Sequence, residues 1–212
     1  MFFVKKSKLF IVGIAIFIFL VLVSIFIIKN LNENSSLENF SETAGKSEEE
    51  LAKIAKESTN PKILQILAQS ENVTIRSNAA KNRNLPKKMQ NILLQDSNWM
   101  VVSYLAANRN LKKNIAIKLS QNEDERIRWV VARNPSIDPV ILKIFLDDSY
   151  NVREMLAKNE SISEEIMEKL ANDVLPIAVI LAKRDDLPKK IVEILKNRSE
   201  PELQKKLELF SN

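Results

Sequence analysis

The sequence has no cysteine, no histidine and only two glycines in 212 residues, Gly13 and Gly45. Each absence removes a class of chemistry. No disulfide framework, iron–sulfur cluster or zinc site of the usual Cys/His kind can form. A glycine-rich phosphate loop is excluded too, since one glycine lies in an apolar run and the other in a polar stretch. Nucleophiles of the Ser-His-Asp or Cys-His kind are likewise unavailable. An enzyme would have to work with carboxylates, lysine or tyrosine alone. The expectation is therefore no catalysis, no cofactor and no metal. The missing cysteines suit the cytosol and the cell exterior equally, so they leave the redox compartment open.

The formal net charge is +5. It resembles a nucleic-acid signal until it is located. Residues 1–29 carry Lys5, Lys6, Lys8 and Lys29 and no acid, which leaves 28 basic and 27 acidic residues for the rest. Most of the basicity therefore flanks one segment and says little about a polyanion partner.

That segment is Leu9 to Ile28, twenty residues without a charge. At helical rise it spans about 30 Å, the thickness of a bilayer hydrocarbon core. A cleavable leader is the rival reading, but its apolar region is usually shorter and ends in a small-residue site. Here Ile27-Ile28-Lys29-Asn30 offers none. Residues 1–29 are expected to be a single-pass membrane anchor. Three lysines precede the span against one just after it, so the N-terminus is expected in the cytoplasm and the following domain outside it. Residues 30–47 are rich in Asn, Ser and Glu and read as a flexible polar linker.

From residue 48 to 212 the pattern becomes apolar and repetitive. Asn82, Asn108, Asn134, Asn159 and Arg184 are spaced by 26, 26, 25 and 25 residues. Two positions before each stands alanine: Ala80, Ala106, Ala132, Ala157 and Ala182. Seven before come Ile75, Val101, Ile127, Val152 and Ile177; seven after come Met89, Ile115, Ile141, Ile166 and Ile191. Eleven after come Leu93, Leu119, Phe145, Leu170 and Leu195. Stepping back 26 from Asn82 places a partial repeat on Lys56, with Ile63 and Leu67 in the same columns.

Each unit divides into two short helices. Ser58, Asn84, Asn110, Ser136, Ser161 and Asp186 are expected as N-caps of the second helix. Pro61, Pro86, Pro139 and Pro188 follow within its first turn, and Ser161 to Glu164 reads as a capping box. The second helix is expected to end near Asp96, Asn122, Asp148 and Asp173. The alanine column marks a close approach of neighbouring helices. The asparagines are read as structural: they tolerate left-handed geometry at a helix end, and their amides can bridge to the backbone of the next repeat. One unit cannot bury its apolar face alone, so the units must stack into an all-α solenoid of about five repeats plus partial caps.

Ile127-Arg128-Trp129-Val130-Val131-Ala132-Arg133-Asn134-Pro135, with Ile137 and Pro139 after it, resembles the leucine-rich repeat variant family. Asn151 to Asn159 and Ile75 to Asn82 resemble the same half-repeat. The resemblance covers about residues 48–212 and implies stacked repeats of one α helix and one α or 3₁₀ helix in a right-handed superhelix. Val102 and Ala178 replace the family's arginine and Arg184 its asparagine. The cysteine-ligated cluster domain of the family's prototype is absent. HEAT and armadillo arrays are the close structural alternative. No activity is implied.

Charge is uneven along the repeats. Between Val73 and Asn134 twelve basic residues face four acids, whereas from Pro135 onward twelve face fifteen. Arg76, Arg83, Lys87, Lys88, Arg109 and Arg128, with Trp99 and Trp129, are the candidate partner-binding residues. The arginine column of Arg76, Arg128 and Arg153 also has a structural reading, pairing between repeats with an acid such as Asp148. The acidic pairs Asp147-Asp148, Glu164-Glu165 and Asp185-Asp186 recur at turns and helix starts, where they complement the helix dipole rather than mimic a catalytic dyad. The expected function is a membrane-anchored scaffold for a protein or peptide ligand. The alternative is a polyanion (nucleic acid, anionic lipid or cell-wall polymer) held by the basic half 73–134. Nucleic acid is disfavoured by the expected topology.

Overall fold

A computed structural model describes residues 42–208. The expected anchor at 1–29 and most of the linker lie outside the described residues. Among the described residues no helix is long and apolar enough to cross a membrane. The chain divides into two units, and the second, from Ser47 onward, is the one described below.

This unit is all helix: α1 (Glu48–Glu57), α2 (Pro61–Leu67), α3 (Val73–Lys81), α4 (Lys87–Leu93), α5 (Trp99–Ala106), α6 (Lys113–Ser120) and α7 (Glu125–Arg133). Then come α8 (Pro139–Leu142), continued by a 3₁₀ turn at Lys143–Asp147, α9 (Tyr150–Ala157), α10 (Glu164–Ala171), α11 (Leu175–Leu181), α12 (Lys189–Lys196) and α13 (Pro201–Glu208). The odd-numbered helices are the first helices of successive repeats, and each packs on the next: α1 on α3, α3 on α5, α5 on α7, and so on to α13. Among the described residues six helix pairs and the lone α13 result. The partial first repeat expected from the sequence is a complete pair.

Helices of four to ten residues are too short to be stable alone. Tertiary burial supplies what they lack. The apolar columns seven before and eleven after the anchor are buried in every full repeat, and all five column alanines are fully buried. Each large side chain so buried contributes about 1.5–3 kcal/mol relative to exposure. The alanines sit where α3, α5, α7, α9 and α11 approach one another.

The N-caps are displaced from where the sequence pattern puts them. The second helices are capped four residues after the anchor, at Pro86, Lys112, Asp138, Ser163 and Pro188. Asp138 and Ser163 accept from the backbone N–H of Val140 and Ile166, whereas the two prolines and Lys112 make no side-chain cap. Of the residues expected as caps, Asn84, Asn110, Ser136 and Ser161 instead donate their own backbone N–H to the anchor side chain, as Ser161 does to Asn159 Oδ1 at 2.8 Å. The reason is a missed apolar column. Leu85, Ile137 and Ile162, three residues after the anchor, are buried. Pinning them in the core keeps the connector extended for two more residues before a helix can start. The capping box at Ser161–Glu164 is accordingly not formed. A capping box does occur at Ser47, which accepts from Glu50 N–H while the Glu50 carboxylate accepts from Ser47 N–H.

In the first repeat the connector is shorter, running only from Ser58 to Asn60. The anchor role there falls to Ser58, not Lys56: the Asn60 N–H donates to Ser58 Oγ, as the Asn84 N–H does to Asn82 Oδ1. The 25- and 26-residue spacings also have a physical origin. In the longer repeats the turn before a first helix places the acceptor two residues before the N-cap, as in Asp96 to Asn98 and Asn122 to Asp124. In the shorter ones Asp148 accepts directly from the N-cap Ser149, and Asp173 from Val174.

Candidate functional site

Three sets of polar side chains recur along the stack, and two of them are occupied in holding it together. The first set is the asparagine ladder. Asn82, Asn108, Asn134 and Asn159 are all buried, Asn82 and Asn134 at the C-caps of α3 and α7, Asn108 and Asn159 one residue past the C-caps of α5 and α9. The Asn108 amide donates to Ala80 O at 2.7 Å and Asn82 O at 2.8 Å, and its Oδ1 accepts from Asn110 N–H at 2.7 Å. Asn134 repeats this on Ala106 and Asn108, and Asn159 on Ala132 and Asn134. The last carbonyls of a helix have no partner within it. Here the next repeat supplies the donor. The amides therefore reach back to the preceding repeat rather than forward, and no non-glycine residue among those described has the left-handed backbone expected for them. Arg184 keeps the function with different atoms, donating to Asn159 O and Glu160 O while pairing with Asp186.

The second set is the arginine clamp. Arg76 meets Asp96 side-on through Nε at 2.8 Å and Nη2 at 3.1 Å, and its Nη1 donates to Ser70 O and Glu71 O. Arg128 does the same with Asp148, Asn122 O and Glu123 O. Arg153 pairs with Asp173 and donates to Asp148 O. Each guanidinium thus ties the turn entering its repeat to the turn leaving it. Hydrogen bonds from Arg128, opposed by burial, hold the Asp148 carboxyl below its usual range. At Asp96, burial acts upward but the hydrogen bonds from Arg76 and the Asn98 N–H outweigh it. Where arginine is missing its acid is missing too: Val102 and Ala178 stand twenty residues before Asn122 and Arg198. No orphaned carboxylate is left.

The third set faces outward. Lys56, Asn78, Lys81, Arg83, Tyr104 and Arg109 line an open groove of about 740 Å³ beside the ends of α1, α3 and α5. Lys81 Nζ lies 5.6 Å from the Tyr104 ring centre, a weak cation–π contact. Arg83 and Arg109 have no ion-pair partner among the described residues. Farther along, at the ends of α9 and α11, a second recess of about 490 Å³ is lined by Lys158, Lys183, Arg184, Glu160, Asp185 and Asp186. The lining therefore changes from basic to balanced along the stack.

The eight residues singled out in the sequence fall in different places. Arg83 and Arg109 line the groove. Arg76 and Arg128 are mostly covered and engaged in clamps. Lys87 reaches the next repeat, donating to Asn110 O and Oδ1, and burial followed by the nearby Lys112 charge lowers its pKa. Buried Gln90 bridges the same junction, donating to Asn110 O and accepting from Lys112 N–H. Lys88 is exposed on α4. Trp99 is 45% and Trp129 38% exposed, with the Arg126 guanidinium 4.1 Å over the Trp99 ring. Lys56, Lys81 and Asn78 were missed. The signal lay in the repeat phase, since Lys81 stands one before its anchor and Arg83 and Arg109 one after theirs. Among the described residues no acid cluster suited to a metal occurs.

No family model matches the sequence, and no curated protein does. Among solved structures the chain is similar to a leucine-rich repeat variant described as having a novel repetitive protein structural motif. The match has a TM-score of 0.54 and 17% identity, and it covers 80% of this chain and 69% of that one. The likeness is one of fold: a stack of helical repeats of the leucine-rich repeat variant kind.

Proposed function

We propose that this protein is a membrane-tethered helical-repeat scaffold that holds an extended segment of a partner protein in the groove at the ends of its first helices. The observation that carries the reading is the groove itself. Its walls come from three successive repeats, its cations have no ion-pair partner among the described residues, and the clamps and ladder keep its shape fixed. Rigid walls lower the ordering cost of binding. The apolar run at Leu9–Ile28 with its lysine-biased flank supports a single-pass anchor that leaves the repeat domain outside the cytoplasm. The absence of cysteine, histidine and glycine-rich loops supports binding without catalysis.

Two experiments test this. A photo-crosslinking residue at Ala107, which lines the groove, is expected to give a discrete protein adduct in cells that Tyr104→Ala weakens. The same residue at exposed Glu193 on α12 should give none. Equal labelling at both positions would refute the groove. For topology, Asn197→Cys introduces the only thiol in the chain. Its reaction with a membrane-impermeant maleimide on intact cells is expected, and protection until lysis would place the domain in the cytoplasm.

The unpaired cations also favour a second reading, capture of a polyanion by the basic half. Binding of that kind would fall steeply with salt and tolerate any sequence.

A further inference from the structure

Resting on the groove reading above, we infer that the segment held there is an extended acidic peptide with a carboxylate at about every third residue. Several basic side chains of the central repeats are engaged within the fold: Arg76 and Arg128 in clamps, Arg126 with Asp124, Lys113 with Asp138. Those around the ends of the first helices, within two residues of the anchor, are not. Lys56, Lys81 with Arg83, and Arg109 line the groove in three consecutive repeats. Arg133 is exposed one repeat farther, at the same register as Lys81. Among the described residues Arg83, Arg109 and Arg133 have no acidic partner, and Glu57 is the one acid in the lining. The cations therefore form a row of rungs, one per repeat, facing water.

The rung spacing selects the ligand. Adjacent packed helices stand about 8–10 Å apart. A polyproline II chain advances about 3.1 Å per residue with three residues per turn, so residues i, i+3 and i+6 point the same way about 9 Å apart. A β-extended chain would alternate faces and match poorly. An acid at every third position in a polyproline II segment thus meets one rung per turn. The residues between rungs lie over Tyr104, whose ring is 39% exposed on the α5 wall. The register ends where the lining becomes balanced, at Glu160, Asp185 and Asp186. The acidic segment therefore belongs to the first four repeats.

The test uses the full-length chain in detergent or nanodiscs and a fluorescein-labelled peptide of three Glu-Pro-Leu units, read by fluorescence anisotropy. The comparison peptides have the same composition with the glutamates consecutive, or carry glutamine in their place. A single-stranded oligonucleotide is the polyanion control. The spaced acidic peptide is expected to bind at least about tenfold more tightly than either comparison peptide. Arg83→Gln with Arg109→Gln should remove that advantage while leaving the helical circular-dichroism signal and the melt unchanged. Lys88→Gln with Lys118→Gln, outside the groove, should preserve it. If glutamine and glutamate peptides bind equally, the acidic specificity is wrong and the groove stands. If spaced and clustered peptides bind equally, or the oligonucleotide outcompetes both through the same two arginines, the register is wrong and the site is a polyanion patch. If no peptide binds while the Ala107 adduct persists, this inference falls and the groove stands; if the adduct is lost as well, the groove reading falls with it.

Discussion

Asn108→Ala isolates what joins one repeat to the next. The wild-type amide is fully buried and satisfies three backbone groups: Ala80 O, Asn82 O and Asn110 N–H. Asn82 O keeps a second donor, the Leu85 N–H at 3.0 Å. The variant therefore orphans Ala80 O, in the last turn of its helix, and Asn110 N–H. Each unsatisfied buried group costs about 1–3 kcal/mol, and the deleted carboxamide also leaves a small void. The expected loss is about 3–5 kcal/mol, a large fraction of a typical domain's stability. Urea unfolding of the full-length chain in mild detergent, followed by tryptophan fluorescence, measures it, because Trp99 lies in the affected repeat and Trp129 in the next. Stability in a stacked array depends on nearest-neighbour interfaces, so the transition should also broaden or split between the second and third repeats. Asn108→Asp, which keeps the shape but turns an acceptor toward two carbonyls, should be at least as damaging. Asn91→Ala, an exposed asparagine bonded only to Lys87 O, should shift stability by less than about 0.5 kcal/mol. An Asn108→Ala loss below about 1 kcal/mol would refute the ladder as a source of cohesion.

The clamps predict acid sensitivity with a definite sign. The Asp96 and Asp148 carboxyls are held below their usual range, so their contribution is complete above about pH 4, the unfolded carboxylate value, and is lost as pH falls through the folded values. Asp148→Asn should lower stability at neutral pH by about 1–3 kcal/mol and flatten that acid limb, measured as melting temperature against pH. An unchanged limb would show that the pairs do not couple to folding. Ala132→Phe should unfold the array across its neighbours, since Ala132 is fully buried and its carbonyl accepts from Asn159. Overpacking costs about 1–3 kcal/mol or more, and a loss confined to α7 in hydrogen exchange would count against cooperative stacking.

The helical repeat, its columns and the positions of its core were legible in the sequence because burial recurs at a fixed spacing, and an apolar column needs no distant information to be seen. The arginine pairing with Asp148 was legible for the same reason: partner and anchor keep a constant offset. The N-caps were not. A polar residue near a helix start suits an N-cap and an Asx turn equally, and only the burial of Leu85, Ile137 and Ile162 decides which it becomes. The direction of the asparagine bridges was equally hidden, because an amide donates to whichever carbonyls stacking brings within reach.

Composition by itself excluded cysteine, histidine and glycine-loop chemistry, and repeat spacing by itself required stacked helix pairs. The tertiary structure alone decided which basic residues are engaged and which face solvent. Arg76 and Arg83 have the same side chain and stand seven residues apart, yet one is clamped to Asp96 and the other lines the groove. Their difference is place: Arg76 lies in the first turn of α3, and Arg83 lies in the connector beyond its end. It becomes a difference in function only when folding brings the turn leaving the same repeat, with its aspartate, beside one and leaves open space beside the other.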